Sequence, residues 1–541
     1  MKNYLEKKIA ARLEELNWPA SDLQLSRPKK AENGDWSTSV AMGLARVARQ
    51  APLKIAETIL TGIDFDPHVV SRYEIAPPGF INFFQAPDFL AHQIRQIVDL
   101  DHQYGRNEIG KDLKAQVEFV SANPTGPLTV GHGRQSVLGD TLASILEWSG
   151  YEVTREYYFN NAGRQMRKLG ESLRARYLTL KGEPTELPED GYQGAYLIEI
   201  ARELLVQKPE LSDTTDLKVF KEYAETGIFQ IIKDTLARMG IIHDVFYNEN
   251  SLYDDGKIEE VLSLLRQKNL VYEGDGATWF KTTGLGFDQD RVLVKSTGEP
   301  TYRLPDMAYH REKFKRGFDL IVDVFGADHQ DTYPDVLAAL NVMGFDTEKV
   351  KVVIHQFVTL MRGDEVVKMS TRKAEFVTLD ELLDEVGVDV VRYFYIMRSA
   401  NSHLNFDLDL AKRQTEENPV FYLQYAHARI ASILRKAEER GITFDETVDL
   451  SLLVEPETLA LINEMLTFPE MIVRCLRTLE IHHLPTYLYS LATALHKFYT
   501  EQRVISENIP LSQARLFLLK AVKLTLRNGL EVLGISVPER M

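Results

Sequence analysis

The sequence predicts an α/β protein: an open parallel sheet in the middle of the chain, a smaller α/β unit before it and an all-α unit after it. Three observations carry this. Between Gln116 and Leu146 a strand pattern gives way to a Pro/Gly-rich turn and then to a helix pattern, the start of a βαβ unit. Strand-like and helix-like stretches keep alternating to about residue 415. From Pro419 onward strand signals cease and helical periodicity takes over. A chain of 541 residues has room for three or so cores, and the expected boundaries are 1–105, 106–415 and 416–541.

In the first unit Tyr4, Leu5, Ile9, Leu13 and Leu16 form a helical stripe. Asn33-Gly34-Asp35 reads as a turn, and the run from Phe80 to Phe84 reads as a strand after Pro77-Pro78-Gly79. In the second, Val117 and Phe119 alternate with Gln116 and Glu118, and Pro124, Gly126 and Pro127 then break regular structure. Val137, Leu138, Leu142, Ile145 and Leu146 follow at helical spacing, so a helix opens at Gly131-His132. Further strands are expected at 320–325, followed by Gly326-Ala327-Asp328, and at 350–354. Ligands of such a sheet bind at the carboxyl ends of its strands. Residues 180–220, with Pro184, Pro188 and Pro209, read as a loop-rich insertion. In the last unit Phe421, Tyr425 and Ala428 form a packing face.

Composition excludes several classes. Hydrophobic content of 44% and charged content of 26% suit a soluble globular protein. No run of ~18 apolar residues suggests a membrane span, and the opening MKNYLEKKIAARLEEL lacks the apolar core of a signal peptide. One cysteine, Cys475, rules out an internal disulfide framework and a Cys-based zinc cluster, and a cytoplasmic protein is expected. The net charge of −16 argues against a general binder of phosphate backbones, although local basic patches can still hold RNA.

Two short segments carry chemistry. A helix N-terminus with its free N–H groups is a phosphate site, and His132 stands there as a donor. Lys368, in VKMSTR beside Gly363-Asp364, would alone be an ordinary hairpin lysine. Together, EFVSANPTGPLTVGHGR and VKMSTR resemble the paired HIGH and KMSKS signatures of class I aminoacyl-tRNA synthetases. The wording resembles the bacterial-type arginyl-tRNA synthetase family in particular. SANPTGP precedes Thr129-Val130-Gly131-His132, and EYYFNNAGRQM, YRLPDMAYH, GADHQ, EFVTLDELLDEVGVDVVRYFYIMRS, YLQYAHARI and the terminal VPERM follow in order. The likeness runs from about Gly34-Asp35 to Met541.

The resemblance implies a class I Rossmann-type catalytic domain, an N-terminal domain touching the outer corner of tRNA, and a helical anticodon-binding domain. It implies an enzyme that activates L-arginine with ATP and charges tRNA(Arg), with Mg²⁺ arriving on ATP, no fixed metal site, and a monomer. Adenylate formation needs in-line geometry and positive charge where pyrophosphate leaves. The implied catalytic set is His132, Lys368, Thr129 and Gly131. ATP falls to these and to Ser121, Gly326, Asp328, Met369, Ser370, Thr371 and Arg372. A guanidinium offers five donors and no acceptor, so its pocket must be rich in acceptors; the resemblance places Glu118, Asn123, Tyr302, Asp306 and Gln330 there. Tyr425, Arg429 and Met541 are the tRNA contacts. Thr129 and Thr371 replace a motif His and a motif Lys, which leaves open which cation meets the departing phosphates. A tRNA-free nucleotidyltransferase would have no use for the helical domain. A catalytically dead paralogue would have no use for His132, Lys368, Glu118 and Asp306.

Overall fold

Five strands pair in parallel: β1 (Lys114–Glu118), β2 (Glu152–Phe159), β3 (Val245–Asn248), β4 (Leu320–Gly326) and β5 (Val350–His355), in the spatial order β5-β4-β1-β2-β3. The computed structural model describes residues 1–21, 23–28, 30–161, 163–183, 185–367 and 377–541. Strand order reverses at β1, so the crevice between the carboxyl ends of β1 and β4 is where such a sheet opens to ligands. Ala115, Val117, Ile321, Val322 and Val324 are buried, as expected of strands covered on both faces. Helix α1 (Val130–Trp148) follows β1 and starts one residue before the Gly131 expected from sequence. It lies close to the sheet because Gly139 lacks a side chain: a Cβ there would stand 2.1 Å from the ring of Phe119.

Helix α2 (Arg303–Lys315) leads into β4. The stretch expected to be loop-rich carries a helix of its own, Tyr196–Gln207, packed with Gly163–Lys181 and Leu217–Arg238. Leu197, Ala201 and Leu204 face inward there; prolines flank this helix but do not enter it, and so hid it from a composition-based reading. From Pro419 to the end the described residues form helices and turns, beginning with α3 (Pro419–Glu439).

The chain divides into two units. One comprises Gly105–Arg429, Thr467–Thr493 and Leu526–Met541 and contains the parallel sheet. In it Phe468 packs edge-on to Trp148 of α1, and buried Arg392 donates to Asp140 at 2.6 Å and to the Leu533 carbonyl at 2.8 Å. The other comprises Met1–Tyr104, Ile430–Leu466 and Ala494–Thr525. It holds a four-stranded antiparallel sheet, with Leu5, Ile9 and Leu13 packed among Trp36, Ile55 and Phe83. Gly34 takes φ +87 in its turn, where a Cβ would meet the Phe83 carbonyl at 2.7 Å.

Candidate active site

The start of α1 is locked by its own residues. Thr129 is the N-cap. Its backbone N–H donates to His132 Nδ1 at 3.1 Å, and its hydroxyl lies 3.2 Å from the same atom. An Nδ1 that accepts from an N–H carries no proton, so the neutral ring holds its proton on Nε2 and presents that as a donor. Burial pushes the His132 pKa down to about 4, with Asp328 pulling it back upward, so the ring is neutral at pH 7. Gly131 has open space, the nearest atom to a Cβ being Thr129 Oγ1 at 3.7 Å, whereas Gly133 is closed in by Leu379 and Tyr395. The next residue, Arg134, is fully buried and donates to the carbonyls of Gln356, Ser399 and Ser402 at 2.8–2.9 Å, tying the helix start to the chain beyond β5.

Lys368, Met369, Ser370, Thr371 and Arg372 lie outside the described residues. The chain on either side of them is anchored. Val367 N–H donates to the Leu360 carbonyl at 2.9 Å, and Leu379 N–H donates to the Leu128 carbonyl at 2.8 Å. Thr129 and Thr378 form an antiparallel bridge. Thr378 and Leu379 are therefore fixed to the residues that cap α1.

At the carboxyl end of β1 the backbone is strained: Val120 and Ser121 take φ +69 and +40, rarely adopted by residues with a Cβ. The strain puts Ser121 Oγ where it donates to Glu118 Oε1 at 2.9 Å and accepts from Tyr158 N–H at 3.2 Å. Glu118 Oε2 accepts from Lys313 Nζ at 2.5 Å, so both carboxylate oxygens of this buried residue are engaged.

Asp306 differs. Half-buried on α2, its carboxylate has no hydrogen bond and no ion pair among the described residues. It lines a small cleft with His310, Phe325, His329 and Tyr333. Burial raises its pKa to about 6, Glu118 adds to the shift, and His310, His329 and Lys313 oppose it. Glu249, buried, accepts from the Tyr158 hydroxyl at 2.7 Å; burial, with a contribution from Asp306, raises it to about 7. Two acids thus lie close enough to repel each other, and neither makes an ion pair among the described residues.

Sequence reasoning missed Glu249 and Tyr158. Tyr158 sits inside the motif EYYFNNAGRQM, but no spacing in the sequence marks Glu249. Among the expected residues, Thr129, Gly131 and His132 come together at the helix start, and the charge of Asp328, past the end of β4, is felt by His132. Ser121 meets Glu118. Gly326 is also confined, since a Cβ would lie 2.5 Å from Asp328 Oδ1. Tyr302, the N-cap of α2, is 76% exposed, and its carbonyl accepts from the Asp306 N–H at 3.2 Å. Asn123 is exposed and donates to Gln165 at 3.1 Å; Gln330 is exposed at the end of the turn after β4. On α3, Phe421 and Tyr425 stack with centroids 6.2 Å apart, and the guanidinium of Arg429 lies over the Tyr425 ring at 6.0 Å. Met541 is 55% exposed.

A parallel sheet with a capped, donor-bearing helix start at its switch point and a desolvated acidic cleft beside it is the arrangement of a class I aminoacyl-tRNA synthetase. The family described as "tRNA synthetases class I (R), catalytic domain" matches residues 93–393, "Arginyl tRNA synthetase N terminal domain" matches 3–85 and "DALR anticodon binding domain" matches 423–541. Relatives named arginine–tRNA ligase include one from Salinibacter ruber, 49% identical over 562 aligned positions and all of each chain. Another, from Desulfotalea psychrophila, is 51% identical over 517 positions, 95% of this chain and 94% of that one. The solved Thermus thermophilus arginyl-tRNA synthetase shares the fold with a TM-score of 0.78 at 23% identity, covering 100% of both chains. The chain belongs to the arginyl-tRNA synthetase family.

Proposed function

We propose that this chain carries out the reaction of its family with Asp306 as the principal partner of the substrate guanidinium. In that reaction L-arginine is activated with ATP to arginyl-adenylate and pyrophosphate, and arginine is then passed to the terminal adenosine of tRNA(Arg). The supporting observation is the Asp306 carboxylate, half-buried in its cleft with no hydrogen-bond or ion-pair partner among the described residues. A guanidinium supplies the missing charge and up to two parallel N–H donors. Glu249 and the Tyr158 hydroxyl stand as further acceptors, and Asn123, Tyr302 and Gln330 as neutral groups at the rim. Glu118, already held at both oxygens, acts as a fixed acceptor at the pocket wall.

His132 donates from Nε2 to an ATP phosphate at the start of α1, together with the N–H groups that Gly131 leaves uncovered. Thr129 holds that ring in orientation. Ser121, Gly326 and Asp328 border the nucleotide, and Lys368 to Arg372 supply the contacts to departing pyrophosphate. Mg²⁺ arrives with ATP and keeps mostly phosphate and water ligands. Residues 1–105 serve as a tRNA-binding domain, 106–415 as the catalytic domain, and 416–541 as the anticodon-binding domain. In the last, Tyr425 and Arg429 stack on unpaired bases and Met541 extends the contact. The single cysteine supports a cytoplasmic enzyme, and the likeness to the family implies a monomer.

The test is Asp306→Asn in tRNA-dependent pyrophosphate exchange. A guanidinium left without its carboxylate partner loses about 2–5 kcal/mol, roughly 30-fold or more. The KM for arginine should rise by that factor while the KM for ATP stays within about twofold. An equal rise for both substrates removes Asp306 from the arginine pocket.

A further inference from the structure

The parallel register sets three carboxylates side by side: Asp323 of β4 pairs with Glu118 of β1, which pairs with Glu156 of β2. All three are buried. Helix α2 covers this row with a polar stripe at i, i+3, i+4 and i+7: Asp306, Tyr309, His310 and Lys313. Lys313, with no exposed side-chain surface, donates to Glu118 at 2.5 Å and to Asp323 at 2.6 Å. His310 donates from Nε2 to Asp323 and from Nδ1 to the Asp306 carbonyl, both at 2.9 Å, so both ring nitrogens carry protons and the ring is a cation. Arg316 pairs with Glu156, which also accepts from the Tyr309 hydroxyl. Three acids thus meet three cations. Asp306 and Glu249 are left over.

We infer that Lys313 is a positioning residue for arginine: by pairing with Glu118 and Asp323 it completes the charge balance of the row and leaves Asp306 as the carboxylate on which the guanidinium settles. Without that ammonium the row carries an unpaired negative charge beside the pocket. The substrate's cation is then drawn toward Glu118, past the position from which its carboxylate reaches the α-phosphorus. This rests on Asp306 being the guanidinium's partner. The groups whose charges reach Asp306 are His310 and Lys313 on its own helix, Glu118 on β1, Tyr158 on β2, Glu249 and Tyr253 after β3, and His329 after β4.

The experiment compares Lys313→Met and Lys313→Arg with the parent enzyme in tRNA-dependent exchange and in calorimetric arginine binding between pH 5 and 8.5. At pH 8 Lys313→Met should bind arginine at least as tightly as the parent, yet exchange at least tenfold more slowly. Its arginine affinity should fail on acidification at a pH at least half a unit higher, because Asp306 loses a neighbouring cation and holds its proton more firmly. Lys313→Arg keeps the charge and should restore the rate to within about threefold of the parent. Arginine and ATP constants rising together with an unmoved acid limb would show a purely structural ion pair and overturn the inference. If Lys313→Met does not fold, Glu118→Gln decides. It leaves the row with a surplus cation, so the acid limb should move down by at least half a unit, and an unmoved limb overturns the inference. The two readings fail separately: unchanged arginine binding in Asp306→Asn removes the underlying assignment. Loss of arginine in Asp306→Asn, with no change in rate or limb in Lys313→Met, removes only this one.

Discussion

His132 and Asp306 show how local surroundings set the charge on which each role depends. His132 must stay neutral yet offer a proton, and its bond from the Thr129 N–H fixes which nitrogen carries it. Replacing it by alanine should slow adenylation on the order of 10²-fold with arginine binding nearly unchanged, since the contact matters as the leaving group forms. Weakened arginine binding at a normal rate would instead make His132 a helix cap only. Asp306 carries a stability cost. Its folded pKa, about 6, lies above the value near 3.9 of an unfolded chain. The stability it contributes is therefore complete below the unfolded value and is lost as pH rises through about 6. Asp306→Asn should raise Tm at pH 8 and leave it near the parent's at pH 4; thermal unfolding at the two pH values checks this, and equal shifts at both would contradict it. Such residues were only partly legible in the sequence. A lone Asp among 79 acids says nothing until a motif fixes its place. The stripe Asp306, Tyr309, His310, Lys313 was written in helical spacing, but the acids it covers come from three strands distant in sequence, which only the sheet register brings together.

At the level of elements, β1 and α1 were legible because alternation, a Pro/Gly break and helical spacing follow one another within thirty or so residues. The way the helix sits on the sheet was not, since it depends on where glycines meet rings. Gly139 is required by Phe119, whereas Gly131 faces open space. Alanine at 139 should cost about 1–3 kcal/mol or more through overpacking, seen as a lower midpoint in urea. Alanine at 131 should leave that midpoint in place but weaken ATP binding, because its methyl group stands where a phosphate approaches the N–H groups. A stable Gly139→Ala protein would mean that α1 shifts along β1 at little cost. The helix Tyr196–Gln207 escaped detection for the opposite reason: its apolar spacing was sound, and the prolines around it carried more weight than they should have.

Over the whole chain, the sequence places strands before Pro419 and helices after it, and the structure agrees on that point. Periodicity is blind to which helices share a core with the sheet. Phe468 on Trp148 and Arg392 on the Leu533 carbonyl join segments more than a hundred residues apart. The end of the chain is held in the same way. Asp389 accepts from the Ser536 N–H at 3.0 Å, from the Ser536 hydroxyl and from the Gln424 amide at 2.8 Å, while His427 donates from Nδ1 to the Pro538 carbonyl at 3.0 Å. Gln424 and His427 flank Tyr425 on α3, so the proposed base-stacking residue and the C-terminus are presented as one ordered surface. Releasing the tail removes that order, and tRNA must then restore it at its own cost in affinity. Asp389→Ala should therefore weaken tRNA binding by about tenfold, roughly the ordering of one or two side chains and a short segment, while ATP binding stays as in the parent. Filter binding of tRNA beside equilibrium ATP binding makes the comparison. Unchanged tRNA affinity would remove Met541 from the tRNA contacts. Loss of ATP binding would show that Asp389, in the first turn of the helix carrying Arg392, supports the catalytic fold itself.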